Sequence, residues 1–505
     1  MKLNYKRTIL VGFAFFLINA FWQAYDSTVS LLLTNKFGMS QTWSGVIMAL
    51  DNILALFMLP LFGTLSDKHK GKSGRRTPFI RLGTVVAAVA LVGLSFMDNM
   101  QLQNLSEVSA IDDPAALAVV YDTQQDEQLM TPDGERFVLA DTLTKEQFTA
   151  IRTGTEEYSD YIVPARQAYA AQVTAANPTP LIVFICLLLV VLIAMATFRS
   201  PAVALMPDVT IKPLRSKANA VINLMGTAGG ILVLVLGMVF GTSAVKNSLM
   251  SYTAFYGVIA AVMIGALVIF LITVKEPQWA AQMQSDAIRY GIEEENTDEN
   301  TKRNLNKSEL KSLILILLSV ALWYFGYNAV TSKYSVYAPN ILQKDYNTTM
   351  LIAQGAAIVA YLPAGILASK IGRKKSILGG VILLALSFCA AAFMRSGSPG
   401  WLMNIMFALA GIAWATINVN SFPMVVEMCS GADVGKYTGL YYTASMAAQT
   451  VTPMLSGYLM DQMGMTVLFP YATVCVALAF VTMFLTRHGD AKIITKQGLE
   501  AFDND

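Results

Sequence analysis

An otherwise apolar run at 9–33 carries Asn19, Gln23, Asp26 and Ser30 at spacings of four, three and four, with Trp22 beside them. At 3.6 residues per turn these side chains share one face of a helix. A polar stripe turned toward hydrocarbon is costly, so this one must face a cavity or another helix. Asp26 lies deep in that run, and Asp51 lies deep in the next, at 44–63. A carboxyl group held away from water can take up a proton and give it back, which is the chemistry of a proton carrier. The competing role for either residue is a structural hydrogen bond or ion pair between helices, with Arg199 as the available cation.

Other runs carry weaker stripes: Asn219, Asn223, Thr227 and Gly230; Asn404, Gly411 and Asn418; Tyr441, Ser445, Ala448, Thr452 and Ser456. Asn328 follows Tyr327 as Asp26 follows Tyr25. Small and hydroxyl residues also let membrane helices pack closely, so packing competes with binding at each. The amides and aromatic rings nonetheless offer neutral donors, acceptors and flat apolar faces. On that ground Asn19, Trp22, Gln23, Asn223, Asn328, Asn418 and Tyr441 form the candidate solute-binding set.

The elements that must position these groups follow from composition. Of 505 residues, 55% are hydrophobic and only 14% charged, against about 25% charged in a typical soluble domain. About 20 apolar residues cross a bilayer as a helix. Twelve such spans are expected, near 9–33, 44–63, 79–97, 180–206, 219–242, 252–274, 310–330, 349–369, 377–394, 400–426, 437–458 and 466–486. Cys186, Cys389, Cys429 and Cys475 sit in or beside apolar runs with no pairing or metal spacing, and read as small core hydrophobes. The connections 67–81, 209–217, 370–376 and 427–436 are rich in Lys and Arg, whereas the alternate short loops hold only Lys36, Lys246, Lys333, Lys344 and Arg395. The excess of positive charge on cytoplasmic loops places the first set, and both termini, inside the cell, in a plasma or bacterial inner membrane. No nucleotide-binding loop or nucleophile elbow occurs in a suitable context, so an ATP-driven pump and an enzyme both lack support.

Two long polar segments break the rhythm. Residues 98–179 hold fourteen Asp and Glu against four Lys and Arg, and are expected as an extracytoplasmic insertion, with helices begun by DDPAALAVVYD and LTKEQFTAIR. Residues 275–309 read as a cytoplasmic linker, and 487–505 as a cytoplasmic tail. GTLSDKHKGKSGRR echoes GILASKIGRKK, pairing Gly74 with Gly372 at an offset of 298. Asp208 and Lys217 echo Glu427 and Lys436 at an offset of 219. The offsets differ by 79 residues, close to the length of 98–179. The chain therefore reads as two related six-helix halves, 1–274 and 310–486, the first carrying the insertion.

The Gly-x-Leu-x-Asp…Gly-Arg-Arg stretch and its degenerate second copy resemble the loop motif of the major facilitator superfamily. GTLSDKHKGKSGRRTPFI, with SPAVALMPDV at 200–209, is most similar to the sucrose–proton symporters and the related glycoside–pentoside–hexuronide cation symporters. That resemblance implies an all-α membrane fold of two six-helix bundles and proton-coupled import of a sugar, a disaccharide or other glycoside, by alternating access. It also implies a cytoplasmic gate built from Asp67, Arg75, Arg76 and Asp208 with Lys217, and from Arg373, Lys374 and Glu427 with Lys436. Ser369 stands where the second copy would have its Asp, so the two latches are unequal. The helix 4 arginine of those symporters falls on Val203, with Arg199 one turn earlier on the same helical face, so the resemblance adds Arg199 to the candidate solute-binding set as a replacement guanidinium. The two aspartates of a melibiose-type sodium site fall on Ala55 and Leu59. A proton is thus the expected coupling ion, with no metal or other cofactor. The expected partners are a small sugar and the lipid bilayer, with no nucleic acid, and the chain is expected to be monomeric. Two further readings are proton-antiport export of an apolar, drug-like compound and a transporter-like receptor or scaffold that moves nothing.

Overall fold

A chain with long apolar runs must satisfy its backbone polar groups within each run, and it does so here almost wholly as α-helix. A computed structural model describes residues 3–211, 214–289, 306–426, 428 and 434–489. The first half begins with α1 (Tyr5–Asn35), α2 (Gln41–Lys68) and α3 (Thr77–Asn104). A smaller unit follows: α4 (Pro114–Gln124), the two-stranded antiparallel β1 (Gln128–Met130) and β2 (Arg136–Val138), α5 (Leu139–Thr142), α6 (Lys145–Ala150) and α7 (Val163–Ala176). Then come α8 (Thr179–Asp208), α9 (Arg215–Phe240), α10 (Thr253–Thr273) and the polar α11 (Glu276–Arg289). The second half holds α12 (Lys307–Tyr337), α13 (Tyr346–Ile371), α14 (Arg373–Ala391), α15 (Gly400–Val426), α16 (Val434–Met463) and α17 (Leu468–Leu485).

Ten of these helices are long and apolar enough to cross a membrane. Two more, α13 and α16, span 26 and 30 residues and pack among them. One hydrophobic core gathers α1–α3 with α8–α10, and a second gathers α12–α17. Residues 105–178 bury a third core of their own, with Leu117, Phe148, Tyr158 and Ile162 at its centre. The two helices read from this segment form as α4, opened by Asp113 and Pro114, and α6, opened by a Thr144–Gln147 capping box.

Several boundaries differ from the sequence reading. Asp98 belongs to α3, and its fully buried carboxylate meets Lys36 at 2.5 Å, with the Lys36 ammonium 4.8 Å from the Tyr252 ring centre. Lys333, read as a loop residue, lies in α12, which runs to Tyr337 and continues as a π-helical turn to Leu342. Cys186 and Cys389 are exposed on the apolar outer surface rather than buried, a position that suits a thiol nearly as apolar as a methyl group. The segment read as a linker contains α11.

The 105–178 unit touches both halves. Gln167 donates to Asn35, and Gln343 donates to Thr155 and Ser159 at 2.6 and 3.0 Å. Thr466 donates its N–H to Pro132, and Arg395 pairs with Asp133 at 3.2 Å. Near that pair, burial together with Asp133, Glu156 and Glu157 pushes Asp160 up to about 6, against the pull of Arg395. A carboxyl group raised on folding binds more protons folded than unfolded, so stability falls as pH rises from about 4 to about 6. Asp160→Asn should therefore raise the melting temperature at pH 7 and flatten its pH dependence across that window, read by differential scanning fluorimetry. An unchanged slope would refute it.

Candidate functional site

The polar stripe of α1 turns inward, as its spacing requires. Gln23 accepts from Gln354 of α13 at 2.6 Å and donates to the Tyr346 hydroxyl at 3.4 Å, joining the two halves. Asn19 donates to Phe15 O, and Ser30 bonds to Ser44 of α2 at 3.0 Å. Trp22 and Asp26 stand between two adjoining cavities and line both.

The first cavity, about 270 Å³, lies between α1, α9, α12, α13 and α15. Asn19, Gln23 and Gln354 supply amides, and Tyr327 and Tyr361 supply phenols. Tyr327 and Trp414 stack face to face, centroids 3.6 Å apart and planes 2° from parallel, a flat aromatic wall. The second cavity, about 210 Å³, holds Asp51 and Asn52 of α2, Arg199 of α8, Asn328, Thr331 and Ser332 of α12, and Gln449 of α16. Asn52 donates to Asp51 at 2.8 Å, and the Arg199 guanidinium lies 5.5 Å from the Trp22 ring centre. Trp22 Nε1, Asn328 Nδ2 and the Tyr25 hydroxyl are buried with no hydrogen-bond partner among the described residues. A buried donor without an acceptor costs about 1–3 kcal/mol, so this site is arranged to receive oxygen atoms.

Of the candidate residues, Asn19, Trp22, Gln23, Asp26, Asp51, Arg199 and Asn328 line these cavities. Asn223, Asn418 and Tyr441 line neither. Asn223 is exposed and bonds back to Asn219 O, and Tyr441 is buried against Ser421. Thr227 and Gly230 are the residues that α9 turns inward. Gln354, Trp414, Asn52 and Gln449 escaped the sequence reading; Gln354 is a lone amide in an apolar run, a signal that was available.

The basic loop forms a compact charge cluster. Arg76, nearly buried, bonds to Asp67 at 2.5 Å and to Asp208 at 2.8 Å, and Arg75 reaches Asp208 at 3.3 Å. Glu276, at the start of α11, accepts the backbone N–H groups of Arg75, Arg76 and Thr77 at 2.6–2.8 Å, capping α3. Gly74 is required beside it: φ is +106°, and a Cβ would lie 2.3 Å from the Glu276 carboxyl carbon. In the second half Arg373 opens α14, and Lys374 donates to Phe484 O and Thr486 O at 2.9 and 2.6 Å. The carbonyl groups that end α17 attract this ammonium. Glu427, the expected partner of Arg373 and Lys374, lies outside the described residues. Lys217 and Lys436 fall on the first turns of α9 and α16, their side chains outside the described set.

At the opposite end the halves are closed together. Asp461 of α16 accepts Gln41 N and Thr42 N at 2.8 and 2.7 Å, and Lys333 donates to Gln41 O at 2.6 Å. Asn347 donates to Thr242 at 3.1 Å, and Asp345 accepts from Ser243. Gly45 and Gly457 let α2 and α16 touch: a Cβ would lie 2.0 Å from Pro453 O and 2.1 Å from Gln41 O, respectively. Nearer the basic end, α2 exposes Leu56, Phe57, Leu61 and Leu65.

Two family models match this chain: Major Facilitator Superfamily over residues 335–501, and MFS/sugar transport protein over residues 10–105. A curated relative, the MFS-type transporter ppzB of Metarhizium rileyi (strain RCEF 4871), is 26% identical over 141 residues, 28% of this chain and 29% of the relative. The chain thus spans under a third of the curated relatives it matches. Among solved structures, the inward open xylose transporter XylE from E. coli superposes with TM-score 0.57 at 16% identity, covering 98% of each chain. A D-xylose-proton symporter superposes with TM-score 0.56 at 14% identity, covering 95% of this chain and 98% of the other. At these identities the likeness is one of fold.

Proposed function

Because this chain belongs to the major facilitator superfamily, we propose that it imports a sugar, a disaccharide or other glycoside, together with a proton. The observation that carries this reading is the pair of cavities between the halves that share Trp22 and Asp26. One is walled by amides, phenols and a flat aromatic stack, which suit the hydroxyls and apolar face of a sugar ring. The other holds two carboxyl groups and a guanidinium, which suit a proton. A solute in the first cavity and a proton on Asp26 touch the same side chain, so each can sense the other.

In this reading all twelve long helices span the membrane as two six-helix halves, with the basic loops in the cytoplasm. The state described is then closed outside and open inward. The Arg76 cluster lies within the first half and stiffens the inner ends of α2, α3 and α8 between states. The 105–178 unit is extracytoplasmic and holds the closed outer ends together. The match to the family of MFS/sugar transport proteins supports the substrate class, and the likeness in fold to a D-xylose-proton symporter is in keeping with a proton as the coupling ion. Ala55 and Leu59, where a melibiose-type site has aspartates, support a proton over sodium.

The test of the substrate class is a thermal-shift screen of purified protein against a panel of mono- and disaccharides, since a ligand stabilises by mass action. A shift with a glycoside that is lost in Gln23→Ala supports the reading; no shift with any sugar, but shifts with apolar cations, would replace it with the exporter. Joining Asn104 to Thr179 by a short linker should increase labelling of a cysteine placed at Thr42, because contacts made only in the closed state are removed. Unchanged labelling would leave the 105–178 unit without this role.

A further inference from the structure

At the basic end, apart from the central cavities, α1, α8 and α11 enclose a pocket of about 140 Å³. Arg7 stands on one wall. Its guanidinium lies 4.6 Å from the Trp279 ring centre, and Nη1 donates to Gln282 at 3.3 Å. Its Nε and Nη2 are buried with no hydrogen-bond partner among the described residues. Asp286, one turn beyond Gln282 on the same face of α11, lines the same pocket and forms no ion pair with Arg7 among the contacts at 4 Å or less. The floor is apolar, with Val11, Met206 and Val209. A cation with unused donors faces an exposed carboxylate across a gap, on an apolar floor, at the end of membrane-length helices.

The geometry points to a site for a zwitterionic phospholipid headgroup of the phosphoethanolamine class, its phosphate on Arg7 and its ammonium toward Asp286. A phosphate satisfies both unused guanidinium N–H groups in the forked arrangement arginine favours. An anion alone leaves Asp286 opposed to it, and a cation alone leaves Arg7 opposed to it, so a molecule bearing both charges fits where either by itself does not. The apolar floor takes the glycerol end, and α11, with Trp279 half-buried below and Ile288 exposed, lies where an interfacial helix lies. This site is independent of which solute the central cavities take.

Native mass spectrometry of the full-length protein released from nanodiscs containing equal amounts of phosphatidylethanolamine and phosphatidylglycerol tests it. The parent should retain one phosphatidylethanolamine in preference to phosphatidylglycerol. Arg7→Gln should lower retention of both lipids by about tenfold or more, the effect of losing hydrogen bonds to a charged group. Asp286→Asn, at an exposed position where misfolding is not at issue, should keep the phosphate contact but abolish the preference between the two lipids. Soluble phosphoethanolamine should fail to displace the lipid if the glycerol end contributes, and displacement by it would assign the site to the free headgroup instead. Equal retention of both lipids by the parent, or a preference that survives Asp286→Asn, overturns the proposal.

Discussion

Asp26→Asn should reduce sugar accumulation in proteoliposomes to equality with the bath while leaving sugar exchange intact. Under the proposed coupling with one proton per sugar, a gradient of one pH unit would support about tenfold accumulation in the parent, because a factor of ten in proton activity is worth about 1.4 kcal/mol. The amide introduced by this substitution preserves the shape and hydrogen-bonding reach of the carboxyl group but does not take up and release a proton. The amides and the Tyr327–Trp414 wall of the neighbouring cavity are untouched, so binding and exchange persist. Asp26 is the better candidate over Asp51 on placement: it lines both cavities, whereas Asp51 lines only the second, beside Arg199 and bonded to Asn52. Asp51→Asn should weaken coupling less, through its effect on the Arg199 side chain. Full accumulation by Asp26→Asn, measured with the same imposed gradient, would remove Asp26 from the mechanism.

Gly45→Leu should abolish transport by a different route. A Cβ at Gly45 would lie 2.0 Å from the Pro453 carbonyl oxygen, a backbone atom that cannot swing aside. Overpacking a tight contact typically costs about 1–3 kcal/mol, and here it is paid only in the state with α2 and α16 together. A penalty of that size shifts a two-state equilibrium by about five- to 150-fold. The variant should stay open at the end that carries the 105–178 unit, so a cysteine at Thr42 labels rapidly and net uptake disappears. Sugar binding, read by thermal shift, should survive. Wild-type uptake by this variant would show that the α2–α16 contact does not need to close as described.

Much of this architecture is legible in the amino-acid order because lipid imposes a length on every span. The pairing of Asp67, Arg75, Arg76 and Asp208 is readable from the motif, and the structure places all four in one cluster. The differences have a common cause. In helices apolar on nearly all sides, periodicity says little about which face turns inward, so it points to Asn223, Asn418 and Tyr441, whereas Gln354 and Trp414 line the cavity. Charged residues near the ends of apolar runs look like boundaries, which hid Lys36–Asp98 and Lys333 inside the helical body. Glu276 looked like linker polarity, because its task, capping α3 from 200 residues away, exists only once the chain is folded.

If sugar and proton move together through the paired cavities, proton movement itself is the most direct measurement. Proteoliposomes with an entrapped pH-sensitive dye and no initial gradient, given a sugar identified by thermal shift, should acidify inside as sugar enters. The signal should require the sugar, persist without sodium, and vanish in Asp26→Asn. Sugar entry with no acidification, or acidification that depends on sodium, would contradict the account.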